Sequence, residues 1–219
     1  MRLFSTVKFT SVSLLLKKGF TLIELLVSIG IMIVITSVAL VQHNQFNETL
    51  ALTNLAYEVG LSVRQAQVFG ISVREFDGSS RVGSAEDFLY GVHFEYDPGN
   101  RAEYVLYADL NGDQAFTNDT EIVETTTITR GNYVDRFCGI RAGVATCSTG
   151  LNSVGALESL SIQFRRPNPD AVIVGRTPSG ISSYESAIIV LQSPDGVSER
   201  CVRIRPTGQV SIETTCSIP

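Results

Sequence analysis

The chain has 219 residues, 44% of them hydrophobic, with 17 basic and 22 acidic side chains and a formal charge of −5. That length suits one domain with an accessory segment, or at most two small domains. The acidic balance works against generic binding to nucleic acid or anionic lipid surfaces, and no Gly-x-Ser-x-Gly elbow, His-Glu-x-x-His pair, dinucleotide glycine fingerprint or Walker loop is present to support an enzyme.

Residues 1–19 carry Arg2, Lys8, Lys17 and Lys18 and no acidic side chain. The next 22 residues, Phe20 to Val41, contain a single ionisable group, Glu24. As a helix this run rises roughly 33 Å, enough to cross a hydrocarbon core of about 30 Å. The basic flank keeps the short amino-terminal side in the cytoplasm and sends the remainder across the membrane. Removal of residues 1–19 leaves an exported body with a formal charge of −9. A conventional secretory signal has a shorter apolar core. Cleavage after Ala39, at Ser37-Val38-Ala39, is the alternative, but it leaves Glu24 unexplained. An unpaired acid in a membrane helix costs about 2.5–3.5 kcal/mol at mid-bilayer and less near an interface, so it needs a partner or a role. Snorkelling to the headgroups is one answer. The amino group of Phe20, freed by a cut after Gly19, is another, aided by the helix dipole.

The boundary Lys17-Lys18-Gly19-Phe20-Thr21-Leu22-Ile23-Glu24-Leu25-Leu26-Val27 resembles the prepilin signature of type IV pilins and type II secretion pseudopilins. The resemblance implies that a prepilin peptidase cuts between Gly19 and Phe20 and methylates the new amino terminus. It implies that Glu24 guides assembly by pairing with a neighbouring subunit's amino terminus. The expected organisation is a leader peptide over 1–19, a transmembrane helix over 20–41, its amphipathic continuation over 42–69 and an extracytoplasmic β-rich body over 70–219. Val41 stands where many major pilins have a kinking proline, which predicts a straighter helix.

Phe46, Leu50, Leu52, Leu55, Val59, Val63 and Ala66 recur mainly at three- and four-residue steps. They extend the helix to about Phe69, with Gly60 as a weak point and Gly70 as the stop. Strand patterns follow at Ile71–Phe76, Phe88–Tyr96, Glu103–Ala108, Glu121–Thr129, Leu157–Arg165, Ala171–Val174, Ala187–Leu191, Cys201–Arg205 and Val210–Thr214. Cys138–Gly155, Asn168–Pro169 and Thr177–Ser183 read as irregular. The order is α+β: a long helix packed on an antiparallel sheet. The body is most similar to the H-type minor pseudopilins and related minor pilins, on Arg64-Gln65-Ala66-Gln67 with Ile71-Ser72-Val73, the Asp109-Leu110-Asn111-Gly112-Asp113 loop, and Val202-Arg203-Ile204-Arg205 before Gly208-Gln209-Val210. The implied function is a structural filament subunit of the inner membrane. Its partners would be the peptidase, other pilin-like subunits, the assembly platform and lipid. A ligand- or DNA-binding minor pilin is the alternative.

Four sets of residues bear on possible sites. Asp109, Asn111, Asp113, Asp119 and Glu121 alternate oxygen ligands along a tight loop that suits calcium, although glycine and glutamate are misplaced for an EF-hand; an Asx-rich turn without an ion is the other reading. Arg200, Arg203 and Arg205, with Arg165 and Arg166, form a candidate basic patch, unless Arg203 pairs with Glu213 across a terminal hairpin. His93 alternates with apolar neighbours as a solvent-facing strand residue does. Cys138, Cys147, Cys201 and Cys216 suit two disulfides in an exported domain, with three pairings possible. We expect the local pairs: Cys138–Cys147 closes a glycine- and serine-rich excursion, and Cys201–Cys216 ties a hairpin in which Arg205 faces Val210 and Cys201 faces Thr214.

Overall fold

The computed structural model describes residues 19–72, 89–148 and 156–219, leaving the side chains of residues 41–46 aside. Helix α1 runs Leu22–Ile71 over 50 residues. The chain divides into two compact units, residues 1–44 and 45–219, each taken by itself below.

In the second unit the later turns of α1 bury Leu52, Leu55, Ala56, Val59, Val63 and Ala66, all 4% exposed or less. Their three- and four-residue spacing draws one stripe that faces a common core. Leu50, expected in that stripe, is instead 44% exposed. It precedes Leu52 by two residues and so points about 200° away around the helix. The helix also continues past Gly70, with Ser72 N–H donating to Val68 O at 2.9 Å. Gly70 is there for proximity: a Cβ would lie 2.4 Å from the carbonyl oxygen of Phe164.

Among the described residues eleven strands follow: β1 Leu89–Glu95, β2 Glu103–Asp109, β3 Ile122–Thr127, β4 Tyr133–Arg141, β5 Val144–Cys147, β6 Ser159–Phe164, β7 Ala171–Thr177, β8 Gly180–Tyr184, β9 Ser186–Gln192, β10 Glu199–Ile204 and β11 Val210–Glu213. They form two antiparallel sheets, ordered β3-β2-β1-β6-β7-β8 and β11-β10-β9-β4-β5. Each sheet is made of locally connected hairpins joined by one long-range pairing, β1 to β6 in the first and β4 to β9 in the second. The shared core takes Val92 and Phe94 from β1, Leu160 and Ile162 from β6, Phe137 from β4, and Ile189 and Leu191 from β9. Gln67 ties the helix to the body by donating to Pro169 O at 2.9 Å, while Arg64 donates to its other amide atom, Oε1, at 2.6 Å.

Several expectations are corrected. The stretch from Cys138, read as irregular, holds the end of β4 and all of β5, joined by the turn Ala142-Gly143 with φ of 50° and 76°. Two left-handed residues make that hairpin a type I′ turn. Val134 and Phe137 both reach the core although they are three residues apart, because the register shifts between Val134 and Arg136. Such a bulge breaks the period of two. Strand β8, read as irregular at 177–183, is a polar edge strand whose residues are exposed or half-buried. Edges lack the buried alternation on which strand recognition rests. The strand expected at 71–76 begins inside α1 at Ile71, and residues 73–76 lie outside the described residues, as do 149–155 of the excursion. The terminal hairpin pairs Ile204 with Val210 and Cys201 with Glu213, one residue from the expected register. The loop Pro206-Thr207-Gly208 has three residues, closed by Arg205 N–H to Gln209 O at 2.9 Å, and Gly208 sits at φ 74°. A three-residue loop ending in a left-handed glycine shifts the ladder relative to a four-residue loop.

Candidate functional site

The amino end of α1 is built by a capping motif. Thr21 Oγ1 accepts from Glu24 N–H at 3.3 Å, and Thr21 O accepts from Leu25 N–H at 3.1 Å. Thr21-x-x-Glu24 is the capping-box spacing, and it places Glu24 in the first turn, where the helix dipole favours negative charge. The Thr21-x-x-Glu24 spacing is itself visible in the sequence, within the signature. Gly19, Phe20 and Glu24 are all exposed. Lys17 and Lys18 lie outside the described residues.

The segment Leu22–Leu40, which includes Glu24, has a mean hydropathy of 2.4 and none of it is buried by the protein. Its hydroxyls turn inward to the backbone. Ser28 Oγ donates to Glu24 O at 2.7 Å, Thr36 Oγ1 to Met32 O at 2.8 Å and Ser37 Oγ to Ile33 O at 2.7 Å. A helix that satisfies its own polar atoms in this way suits a solvent without hydrogen-bonding partners. One apolar helix long enough to be a membrane anchor or signal sequence is consistent with single-pass topology.

The loop from Asp109 to Glu121 turns many of its side-chain oxygens onto its own N–H groups. Asp109 is buried, and its Oδ1 and Oδ2 accept the N–H groups of Gly112 at 2.7 Å and Gln114 at 2.9 Å. Asn111 Oδ1 accepts Asp113 N–H at 2.8 Å, and Asp113 Oδ1 accepts Ala115 N–H at 2.9 Å. Asp119 opens the 3₁₀ turn Asp119–Glu121, which Asn118 caps through Thr120 N–H at 2.9 Å. Glu121, also buried, accepts Thr117 N–H through Oε2 at 2.8 Å. The Asp109, Asp113 and Glu121 carboxylates thus act as caps on loop N–H groups. Among the described residues no group of three or more His, Cys, Asp or Glu side chains is placed to hold a metal.

The same loop lays Phe116 over the outer face of the six-stranded sheet. Its ring centroid lies 4.8 Å from that of His93 and 5.5 Å from that of Tyr107. His93 is therefore only 6% exposed, against the expectation of a solvent-facing residue. Its Nδ1 lies 2.9 Å from Ser161 Oγ. Desolvation, with the Arg176 charge, pushes its pKa down to about 4. Tyr107 is raised by burial and accepts a hydrogen bond from Gln163 Nε2.

Two arginines of the terminal hairpin, Arg200 and Arg203, are engaged, whereas Arg205 is exposed. Arg203 Nε and Nη2 grip the Glu213 carboxylate at 2.8 and 3.2 Å, and Nη2 also donates to Ser217 O at 2.8 Å. The Arg203 hydrogen bond holds the Glu213 pKa below its ordinary value. Arg200 Nη1 donates to the carbonyl of Glu199 at 2.8 Å. The disulfides join Cys138 to Cys147 across β4 and β5, with Cα atoms 4.0 Å apart, and Cys201 to Cys216, 5.5 Å apart. Cys216 and Ile218 pack on a small second core of Ile140, Ile188, Val190 and Cys201.

Residues 15–40 match the family model described as the prokaryotic N-terminal methylation motif. No curated protein and no solved structure matches the chain. The chain thus carries a prepilin-type methylation motif on a capped apolar helix whose later turns pack on antiparallel sheets. This combination is consistent with a type IV pilin- or pseudopilin-like fold, a class of structural subunits and not of enzymes.

Proposed function

We propose that this chain is a minor pseudopilin or minor pilin, made as a precursor and assembled into a filament through its amino-terminal helix. The observation that carries the reading is the methylation motif over residues 15–40, set directly against a helix whose first turn holds Glu24. Prepilin peptidase cuts between Gly19 and Phe20, guided by Lys17 and Lys18, and methylates Phe20. The subunit then waits in the inner membrane with its body on the extracytoplasmic side. Glu24 accepts the amino terminus of an adjacent subunit as the helix leaves lipid for the filament. Its partners are the peptidase, the assembly platform and other pilin-like subunits. The paired state of Arg203 gives the DNA-binding alternative no support.

Intact mass of membrane-extracted protein tests this reading. The expected product lacks residues 1–19 and carries a methyl group on Phe20. An amino terminus after Ala39, or an uncut leader in a host with active prepilin peptidase, overturns it.

A further inference from the structure

We infer that His93 and the Phe116-bearing loop form a pH-sensitive latch, in which protonation of His93 releases residues 110–118 from the outer face of the six-stranded sheet. The inference concerns the body alone and goes beyond the filament reading. The outward positions of this face are unusual for a surface. His93, Ser161 and Gln163 are all nearly inaccessible, and Tyr107 among them is fully buried. Over two of them lies the 109–121 loop, whose Phe116 ring tilts over His93 at 41° and meets Tyr107 at 68°, while Tyr107 meets the imidazole edge-on at 86°.

The pocket accepts a neutral imidazole. Its Nδ1 is served by the Ser161 hydroxyl, a group able to act as donor or acceptor. A cation there loses its hydration and lies near the Arg176 guanidinium, whose charge opposes it. The charged and titratable groups acting on the ring or on its neighbour are Arg176 on β7, Tyr107 on β2 and, through Tyr107, Asp109 and Glu121, while Glu95 stands two residues along the same strand. β6 contributes only the neutral Ser161 and Gln163. The face of Phe116 offers an attraction to a cation, but such contacts compensate weakly for lost hydration. The roof is the cheapest element to move. It is one loop closed by Asx caps, with Gln114 held at φ 62°, whereas the floor is a paired strand between two others. Opening the roof hydrates the imidazolium and leaves both sheets intact.

Hydrogen exchange on the full-length chain in detergent, corrected for the intrinsic rate at each pH, tests the latch. The opening constant of peptides covering 110–118 is expected to rise about tenfold per pH unit between pH 6 and 4.5, because one proton is taken up on opening. Peptides from β9 and β10 should keep their protection. In His93→Gln the loop profile should be flat over that range. If that variant does not fold, Phe116→Ala replaces it: with the roof ring gone, His93 should titrate near its ordinary value by NMR and the pH dependence of loop opening should vanish. A flat wild-type profile overturns the latch. So does an acid-induced opening that persists unchanged in His93→Gln or Phe116→Ala, which would assign the transition to the loop carboxylates.

Discussion

Glu24 is the only ionisable side chain between Phe20 and Val41, and its neighbours do not depend on it for structure. Thr21 caps the backbone N–H of Glu24, not its carboxylate, so the cap survives truncation of the side chain. Glu24→Ala is therefore expected to insert and to be cut after Gly19 as efficiently as the wild type. Crosslinking into filaments should fall to a small fraction of the wild-type level, and unchanged incorporation would leave the acid with no role in assembly. His93 carries a different kind of expectation, because its pKa in the folded chain lies below that of the unfolded chain. The stabilisation is fully present above the ordinary value near 6.5. It is lost as pH falls toward 4, since there the unfolded chain binds a proton that the folded chain refuses. About 3 kcal/mol is at stake across that window. Denaturant titrations at pH 7 and pH 4.5 should show most of it, and His93→Gln should show little of the difference. Glu213, held low by Arg203, loses its contribution only at more acidic pH, so the two effects separate.

At the scale of elements, the 109–121 loop and the terminal hairpin each depend on a few identifiable bonds. Asp109→Ala leaves two loop N–H groups without their acceptor and should destabilise the body by about 2–3 kcal/mol, read from a shifted denaturation midpoint. Because those oxygens are already engaged, millimolar calcium should leave the melting temperature of the wild type unchanged. A calcium-dependent rise abolished by Asp113→Ala would restore the metal reading. Replacing Cys201 and Cys216 together by alanine should cost about 3 kcal/mol in the loop-entropy picture. It should also loosen Ile218 from the second core, which non-reducing and reducing exchange maps would reveal. The elements legible in the sequence were those whose signal is local. The apolar span, the methylation motif over residues 15–40 and the Leu52-to-Ala66 stripe depend on composition and spacing within a few turns. The rest depended on partners distant in sequence. The bulge at Asp135 hid β4, the edge position of β8 removed its burial pattern, and only the arrival of Phe116 made His93 a buried residue. The hairpin register missed by one residue because the loop has three members and not four.

At the scale of the whole molecule, the strand order has a kinetic consequence. The chain lays down β1-β2-β3, then β4-β5, then β6-β7-β8, then β9-β10-β11, and pairs within each group are successive in sequence, most of them closing over short loops. Such hairpins form in microseconds. The two seams that join them are of another kind: Val92 must find Ile162, and Phe137 must find Ile189, across intervening groups that belong to the opposite sheet. Neither sheet can finish before the chain has crossed to the other and returned, so the search for the seams sets the folding rate. Val92→Ala at the first seam is expected to slow refolding in stopped-flow measurements, whereas Ile212→Ala in the last hairpin should mainly speed unfolding. Until β6 emerges from synthesis, β1 presents an unpaired edge to its surroundings. For a chain whose apolar segment comes first, the interval between emergence of that segment and closure of the seams is the period of greatest exposure to aggregation. A chaperone that shields β1 and β4 during that interval would act on the two strands whose partners arrive last.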